Sequence, residues 1–464
     1  MNEHLLASLE EISDLHIGEA AHWRRRRKAR IWVRSVAAAL AALMLLLPLS
    51  PEGNTVSAQE LVAPAVYVAE KRPNIKDYSN EDDFFDDLDA YRAQVQARAD
   101  VADEAMAGMT GFWEASFRAF LDGGENGVWS PVNAYISLAM LAQTSSGDTR
   151  QEILDVLGAK SIEGLQKDVQ AVWEQIWLNN GSSKRILANS LWLDTQVEYQ
   201  QKVLNVLGER YYASVYRTEL KSADQDMQTW VSQNTNGFLE DLSPADSAAL
   251  DRRVLEMVST LFVDENWVES FDPKDSLGGN FKAPDGYVPC MYMNAQMDTA
   301  RYLQGEDYTA VALSTEGGCR FWVVLPDTDS DVSALLDSGD YLAGILGQEA
   351  RSRKVNLKMP RFDITDSVDL KDGLQELGIG KAFSVADADF SGTFAASGGV
   401  WVDGIRQDAR ISVNETGIRA ASGTVVDMVA LSADDPTTVV LDRPFLFVLT
   451  LGDIPLFAGV VAKP

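Results

Sequence analysis

The side chains able to do covalent or acid–base chemistry are few, and their placement rules most of it out. The three histidines are His4, His16 and His22, so nothing after residue 22 carries an imidazole. A Ser-His-Asp or Cys-His nucleophile cannot be assembled in the main body, and neither can the usual zinc sites. No metal and no cofactor is expected. Two cysteines, Cys290 and Cys319, are too few for a disulfide framework in 464 residues. Carboxylates remain: 64 of the 69 acids lie beyond residue 50, all but Glu3, Glu10, Glu11, Asp14 and Glu19. Two facing acids would serve glycoside hydrolysis. No two of them stand in a recognisable constellation, so an enzyme is not expected.

Composition agrees with a folded body. Hydrophobic residues are 46% and charged residues 23%, ordinary values for a soluble chain with a large core, which excludes a mainly disordered one. The net charge of −29 repels phosphate backbones and argues against a nucleic-acid partner.

The N-terminus reads as an address. Arg24 to Lys28 is an unbroken basic run within a basic-ended segment, 1–30, and Val36 to Leu49 is wholly apolar apart from Pro48 near its end. Fourteen helical residues cover roughly 21 Å, short of the ~30 Å hydrocarbon core. Extending back through Ile31, with Arg34 snorkelling, brings the stretch near spanning length. The preferred expectation is a membrane anchor over 31–50 that holds the protein at the cell surface. The alternative is secretion after cleavage near Ala58, where Val56-Ser57-Ala58 ends in small residues. Residues 51–104 then read as an acidic linker or stalk, because Glu81 to Asp89 packs six acids around Phe84, Phe85 and Leu88.

From 105 to 464 helices and strands alternate without a break, and one large α+β domain is expected, with helices packed on large, mostly antiparallel sheets. Ser130-Pro131 opens a helix, Ile186 to Asp194 reads as a strand buried on both faces, and Trp230 to Gly237 as a helix ending in a turn. Cys319 to Pro326 and Val439 to Leu451 are β-branched and aromatic, and read as strands.

Ordered along this domain are Ser130-Pro131, Leu187-Ala188-Asn189, Trp230-Val231 with Thr235-Asn236-Gly237, and Leu261-Phe262 with Trp267 and Phe271. After them come Leu325-Pro326, Met359-Pro360-Arg361-Phe362 and Ala388-Asp389-Phe390-Ser391-Gly392. Arg443-Pro444-Phe445-Leu446-Phe447, Leu456-Phe457-Ala458-Gly459 and Pro464 close the chain. In this order the motifs resemble those of the serpins, the serine-protease-inhibitor fold. The resemblance implies a monomer with an exposed reactive loop that a protease attacks. The cut loop then enters the central sheet as a new strand and drags the acylated protease with it.

The stretch from Asn414 to Thr424 resembles the hinge of that loop, with Glu415, Gly417, Ile418, Ala420, Ala421, Ser422, Gly423 and Thr424 at hinge positions. An inserted strand buries alternate side chains. Ile418, Ala420, Ser422, Thr424, Val426, Met428 and Ala430 form an uncharged face, while Arg419 and Asp427 fall on the other. Ile418 is larger than the family usually places first, which implies a slower start to insertion. Family spacing from Glu415 puts the reactive bond at Leu431–Ser432, with Ala430 and Ala433 as the alternative positions. Leu431 implies a serine protease with an apolar primary pocket, chymotrypsin- or subtilisin-like, with cysteine proteases as a second class.

The resemblance also assigns Ser130, Asn133, Asn189 and Gln407 to the polar cluster where the sheet opens, and Trp267 to the point of loop entry. Glutamine stands where the family carries histidine, and keeps both donor and acceptor. Cys290 and Cys319 fall on neighbouring strands of a second sheet, as a disulfide or as free buried thiols. The competing reading is a non-inhibitory binding or carrier protein of the same fold.

Overall fold

The computed structural model describes residues 56–69, 73–180, 183–239, 255–346, 350–395, 399–402, 405–418 and 435–464. In chain order the first half carries β1 (Gln59–Val62), α1 (Glu81–Met106), α2 (Thr110–Phe120), β2 (Gly127–Trp129), α3 (Pro131–Thr144), α4 (Gly147–Val156) and α5 (Ile162–Ile176). Then come β3 (Leu178–Asn179), β4 (Lys184–Asp194), β5 (Glu198–Tyr199), α6 (Gln201–Arg210), β6 (Ala213–Thr218) and α7 (Asp224–Asn234). The middle is strand-rich: β7 (Leu255–Asn266), β8 (Leu277–Ala283), β9 (Gly286–Gln304), β10 (Tyr308–Ser314) and β11 (Cys319–Pro326). Two short helices follow, α8 (Val332–Ser338) and α9 (Asp340–Leu346), then β12 (Arg351–Pro360), β13 (Phe362–Asp369) and α10 (Lys371–Leu377). The chain ends through β14 (Phe394–Ala395), β15 (Arg406–Val413), β16 (Gly417–Ile418), β17 (Thr437–Val440), β18 (Phe445–Leu451) and β19 (Ile454–Val461).

Two sheets organise these elements. The central one runs β1-β6-β4-β7-β16-β15-β13, with β3 on β4. The other runs β17-β12-β9-β10-β11-β18-β19-β2, with β8 on β9. Most pairings are antiparallel; β4 with β6 and β12 with β17 are parallel. This is the α+β architecture expected. Side chains of β18 and β19 are buried throughout, and a continuous apolar core joins them to β4, β7 and helices α3 and α5. On the other side of the central sheet, α7 packs Met227, Trp230 and Val231 against Trp192. That helix, read from Trp230 in the sequence, begins earlier at Asp224 and ends at Asn234, in a turn where Asn236 and Gly237 are both at positive φ (51° and 71°).

Several expectations need correction. The strand read over Val439 to Leu451 is two strands, β17 and β18. Pro444 lies in the break between them, a residue without an N–H to donate to a ladder. Residues 51–104, read as a linker, carry β1 and most of α1, which runs on through the boundary at 104 to Met106. The acids Glu81, Asp82 and Asp83 fill the first turn of α1, where a helix dipole favours negative charge. Asn80 caps that turn, its side chain accepting from the Asp82 N–H (3.1 Å). Cys290 and Cys319 are both free, on β9 and β11 with β10 between them. The membrane anchor expected over 31–50 is set aside: no helix among the described residues is long and apolar enough to cross a membrane. Residues 31–50 and the basic run before them lie outside the described residues. The membrane as a partner and the anchored cell-surface placement go with it.

Candidate functional site: the seam of the central sheet

The loop leaves β15 through a tight turn. Val413 pairs with Ile418 across it, and Asn414 closes it by accepting from the Thr416 N–H (2.9 Å) and hydroxyl (2.6 Å). Gly417 and Ile418 then pair antiparallel with Asn266 and Glu265 of β7. Gly417 has to be glycine here, because a Cβ would come within 2.2 Å of the Glu265 carbonyl oxygen. Ile418 is buried. Gly417 and Ile418 therefore already occupy the place between β7 and β15.

Beyond Ile418 no ladder among the described residues joins β7 to β15. A small opening lies there, lined by Leu261, Phe262 and Val263 on one strand and by Arg410, Ile411 and Ser412 on the other. Ala420, Ala421, Ser422, Gly423, Thr424, Leu431 and Ser432, with Ala430 and Ala433, lie outside the described residues.

Glu415 and Trp267 hold the turn. The Glu415 carboxylate, almost wholly buried, accepts from the Ser276 hydroxyl (2.6 Å) and from Arg361 Nε (2.6 Å), with Arg361 Nη2 closing the pair. Burial works against its charge, but the Ser276 hydroxyl and the Arg361 guanidinium outweigh it and hold the carboxyl below the usual range. The Trp267 indole donates to the Asn414 carbonyl (2.8 Å), and its backbone N–H donates to Thr416 (3.0 Å). Trp267 thus bonds the turn at both of these residues.

The four cluster residues do not all meet. Gln407, on β15, accepts from the Ser130 N–H (2.7 Å) and donates to the Ser130 carbonyl (3.0 Å), so its amide is satisfied. The Ser130 hydroxyl donates to Leu456 rather than capping α3. Asn133 and Asn189 converge instead on Ser259 of β7, whose hydroxyl lies between their two amide oxygens, 2.6 Å from that of Asn189. Ser259 was missed because a lone serine in a strand carries no signal of its own. The start of α3 is therefore tied through Ser130 to β15 and through Asn133 to β7, one partner on each side of the seam. On the other face Arg410 of β15 pairs with Asp363 of β13, and its guanidinium lies 4.6 Å from the Phe238 ring centroid.

A mixed sheet whose parallel strands β7 and β15 are bridged, among the described residues, by Gly417 and Ile418 alone agrees with what comparison with known proteins finds. The serpin (serine protease inhibitor) family model matches residues 116–464. The chain is a serpin. Among curated relatives, Serpin-Z2B of Oryza sativa subsp. japonica is 26% identical over 401 residues, covering 77% of this chain and 97% of its own. Among solved structures, the thermophilic serpin tengpin in its native state superposes with a TM-score of 0.69 at 24% identity, covering 77% and 93%. Thyroxine-binding globulin in complex with thyroxine gives 0.68 at 20%, covering 77% and 99%. Membership makes this chain a non-catalytic protein of protease-inhibitor type.

Proposed function

We propose that this serpin inhibits serine-type endopeptidases as a suicide substrate, its cut loop entering the seam between β7 and β15 and trapping the acyl-enzyme. The observation that carries this reading is the seam itself. Two parallel strands stand on either side of Gly417–Ile418, and beyond Ile418 nothing described pairs their facing edges. A strand placed there would complete both ladders. Its uncharged face would turn with Ile418 toward the core, and Arg419 and Asp427 would face away. The proposed reactive bond is Leu431–Ser432, which suits a chymotrypsin- or subtilisin-like primary pocket. Export with cleavage near Ala58 is the accompanying proposal for location.

A second reading, a non-inhibitory binding or carrier protein, has two observations in its favour. Thyroxine-binding globulin, in complex with thyroxine, shares the fold about as closely as tengpin does, with TM-scores of 0.68 and 0.69, and that supports a binding role on the same fold. Ile418 also fills the entry with a bulky β-branched side chain.

Incubation of the chain with chymotrypsin and with subtilisin decides between them. An SDS-resistant complex, with a released fragment beginning at Ser432, is the expected result. Cleavage in the loop with no complex would favour the carrier reading.

A further inference from the structure

A second buried carboxylate lies at the same end of the central sheet, on its core face. Glu265 of β7 is fully buried and ion-paired with Arg185 of β4, itself buried. Arg185 also donates from Nε to the Ile176 carbonyl at the end of α5 (2.9 Å), and from Nη1 to the Gly317 carbonyl (2.7 Å). The second carboxylate oxygen of Glu265 accepts from the Thr315 hydroxyl. Cys319 Sγ lies 3.5 Å from Glu265 Oε1 and 3.8 Å from Arg185 Nη1. Burial, with the Glu265 carboxylate alongside, pushes the Cys319 thiol up, so it stays protonated and donates to the carboxylate. The turn between β10 and β11 closes over this charge only because residue 317 is glycine; a Cβ there would stand 2.3 Å from Glu265 Oε1.

A buried ion pair adds little net stability, since desolvating two charges offsets their attraction; its best-attested use is to fix register. Here the main chain of the same glutamate is the ladder partner of Ile418. Its side chain is anchored by Arg185 of β4, itself held by the end of α5, and by Thr315 and Cys319 at the β10–β11 turn. Its backbone meets the first residue of the incoming strand. A slip of one residue in that pairing would turn every following side chain to the opposite face, bringing Arg419 and Asp427 inward.

We propose that Arg185, Glu265, Thr315 and Cys319 form a positioning cluster that sets the register in which the reactive loop adds to β7. The proposal rests on the insertion reading above. The cluster acts through the main chain of β7 and touches no protease.

The test compares the parent chain with two variants. The double variant Arg185→Leu/Glu265→Leu removes the pair without leaving an unpaired buried charge, and Thr315→Val removes one hydrogen bond. Each is reacted with chymotrypsin, and the rate of association and the moles of inhibitor consumed per protease trapped are measured. Hydrogen exchange over residues 418–430 is then followed in the loop-cleaved form. The double variant should associate at the parental rate yet consume about fivefold more inhibitor per protease trapped. Its cleaved form should show two populations of protection where the parent shows one. Thr315→Val should move the same way by about twofold, and decides the matter if the double variant does not fold. A purely structural role would lower the melting temperature and leave stoichiometry and exchange at parental values, which overturns the proposal. A parent that neither traps protease nor gains protection on cleavage overturns the insertion reading itself.

Discussion

Glu415 and Glu265 are both buried carboxylates held by a guanidinium, and they respond differently to change because their partners differ in exposure. Arg361, the partner of Glu415, is 43% exposed, so that pair is partly screened, and Ser276 carries a share of the charge. With its folded pKa below the unfolded value near 4.5, Glu415 stabilises the fold above that value and loses the contribution as pH falls through the lower one. Glu415→Gln should therefore cost roughly 1–3 kcal/mol at neutral pH. Melting curves of parent and variant should converge as the solution is acidified. Arg185→Met strands a fully buried Glu265, and denaturant titration should show a loss of about 3–5 kcal/mol. At the proposed reactive bond, Leu431→Arg should shift inhibition from apolar-pocket proteases toward trypsin-like ones, whose primary pocket holds a buried acid. Complex formation on gels with chymotrypsin and trypsin side by side reads this. A variant that still traps chymotrypsin and ignores trypsin would move the assignment to Ala430 or Ala433.

At the scale of the element, the hinge strand carries the argument. Thr424 shares the face of Ile418, and Val425 belongs to the other. Thr424→Arg would bury an unpaired guanidinium during insertion, at a cost of several kcal/mol, whereas Val425→Arg would not. Thr424→Arg should thus be cut as a substrate and release active protease, while Val425→Arg traps it as the parent does. Densitometry of complex against cleaved inhibitor distinguishes the two. Elements with a strong local period were legible in the sequence: β4 and β11 fall where their apolar runs placed them, and α3 begins at Pro131. The seam was legible only in part. Gln407 and Ser130 could be assigned by resemblance, but their separation from Asn133 and Asn189 depends on which strand each faces. The pair Arg185–Glu265 was not legible at all. Its members stand 80 residues apart, and each charge alone looks like the polar face of a strand.

At the scale of the molecule, the family match begins at residue 116, and the described chain before it is built onto the same body. β1 extends the central sheet beside β6, and in the uncut chain Ser57 holds Asp226 of α7 through its backbone N–H (2.9 Å) and its hydroxyl (2.8 Å), a contact that cleavage after Ala58 would remove while leaving β1. The acidic run that looked like a self-repelling linker is a helix, because its acids crowd the first turns while Leu88, Ala102, Ala105 and Met106 bury the other side. Among the described residues nothing joins the facing edges of β7 and β15 beyond Ile418, and a further strand there would add two ladders of backbone hydrogen bonds. The most direct measurement is the thermal midpoint of the intact chain against that of the chain cut once in the reactive loop. Insertion predicts a cleaved form that melts higher by on the order of 10 °C or more, and equal midpoints would contradict it.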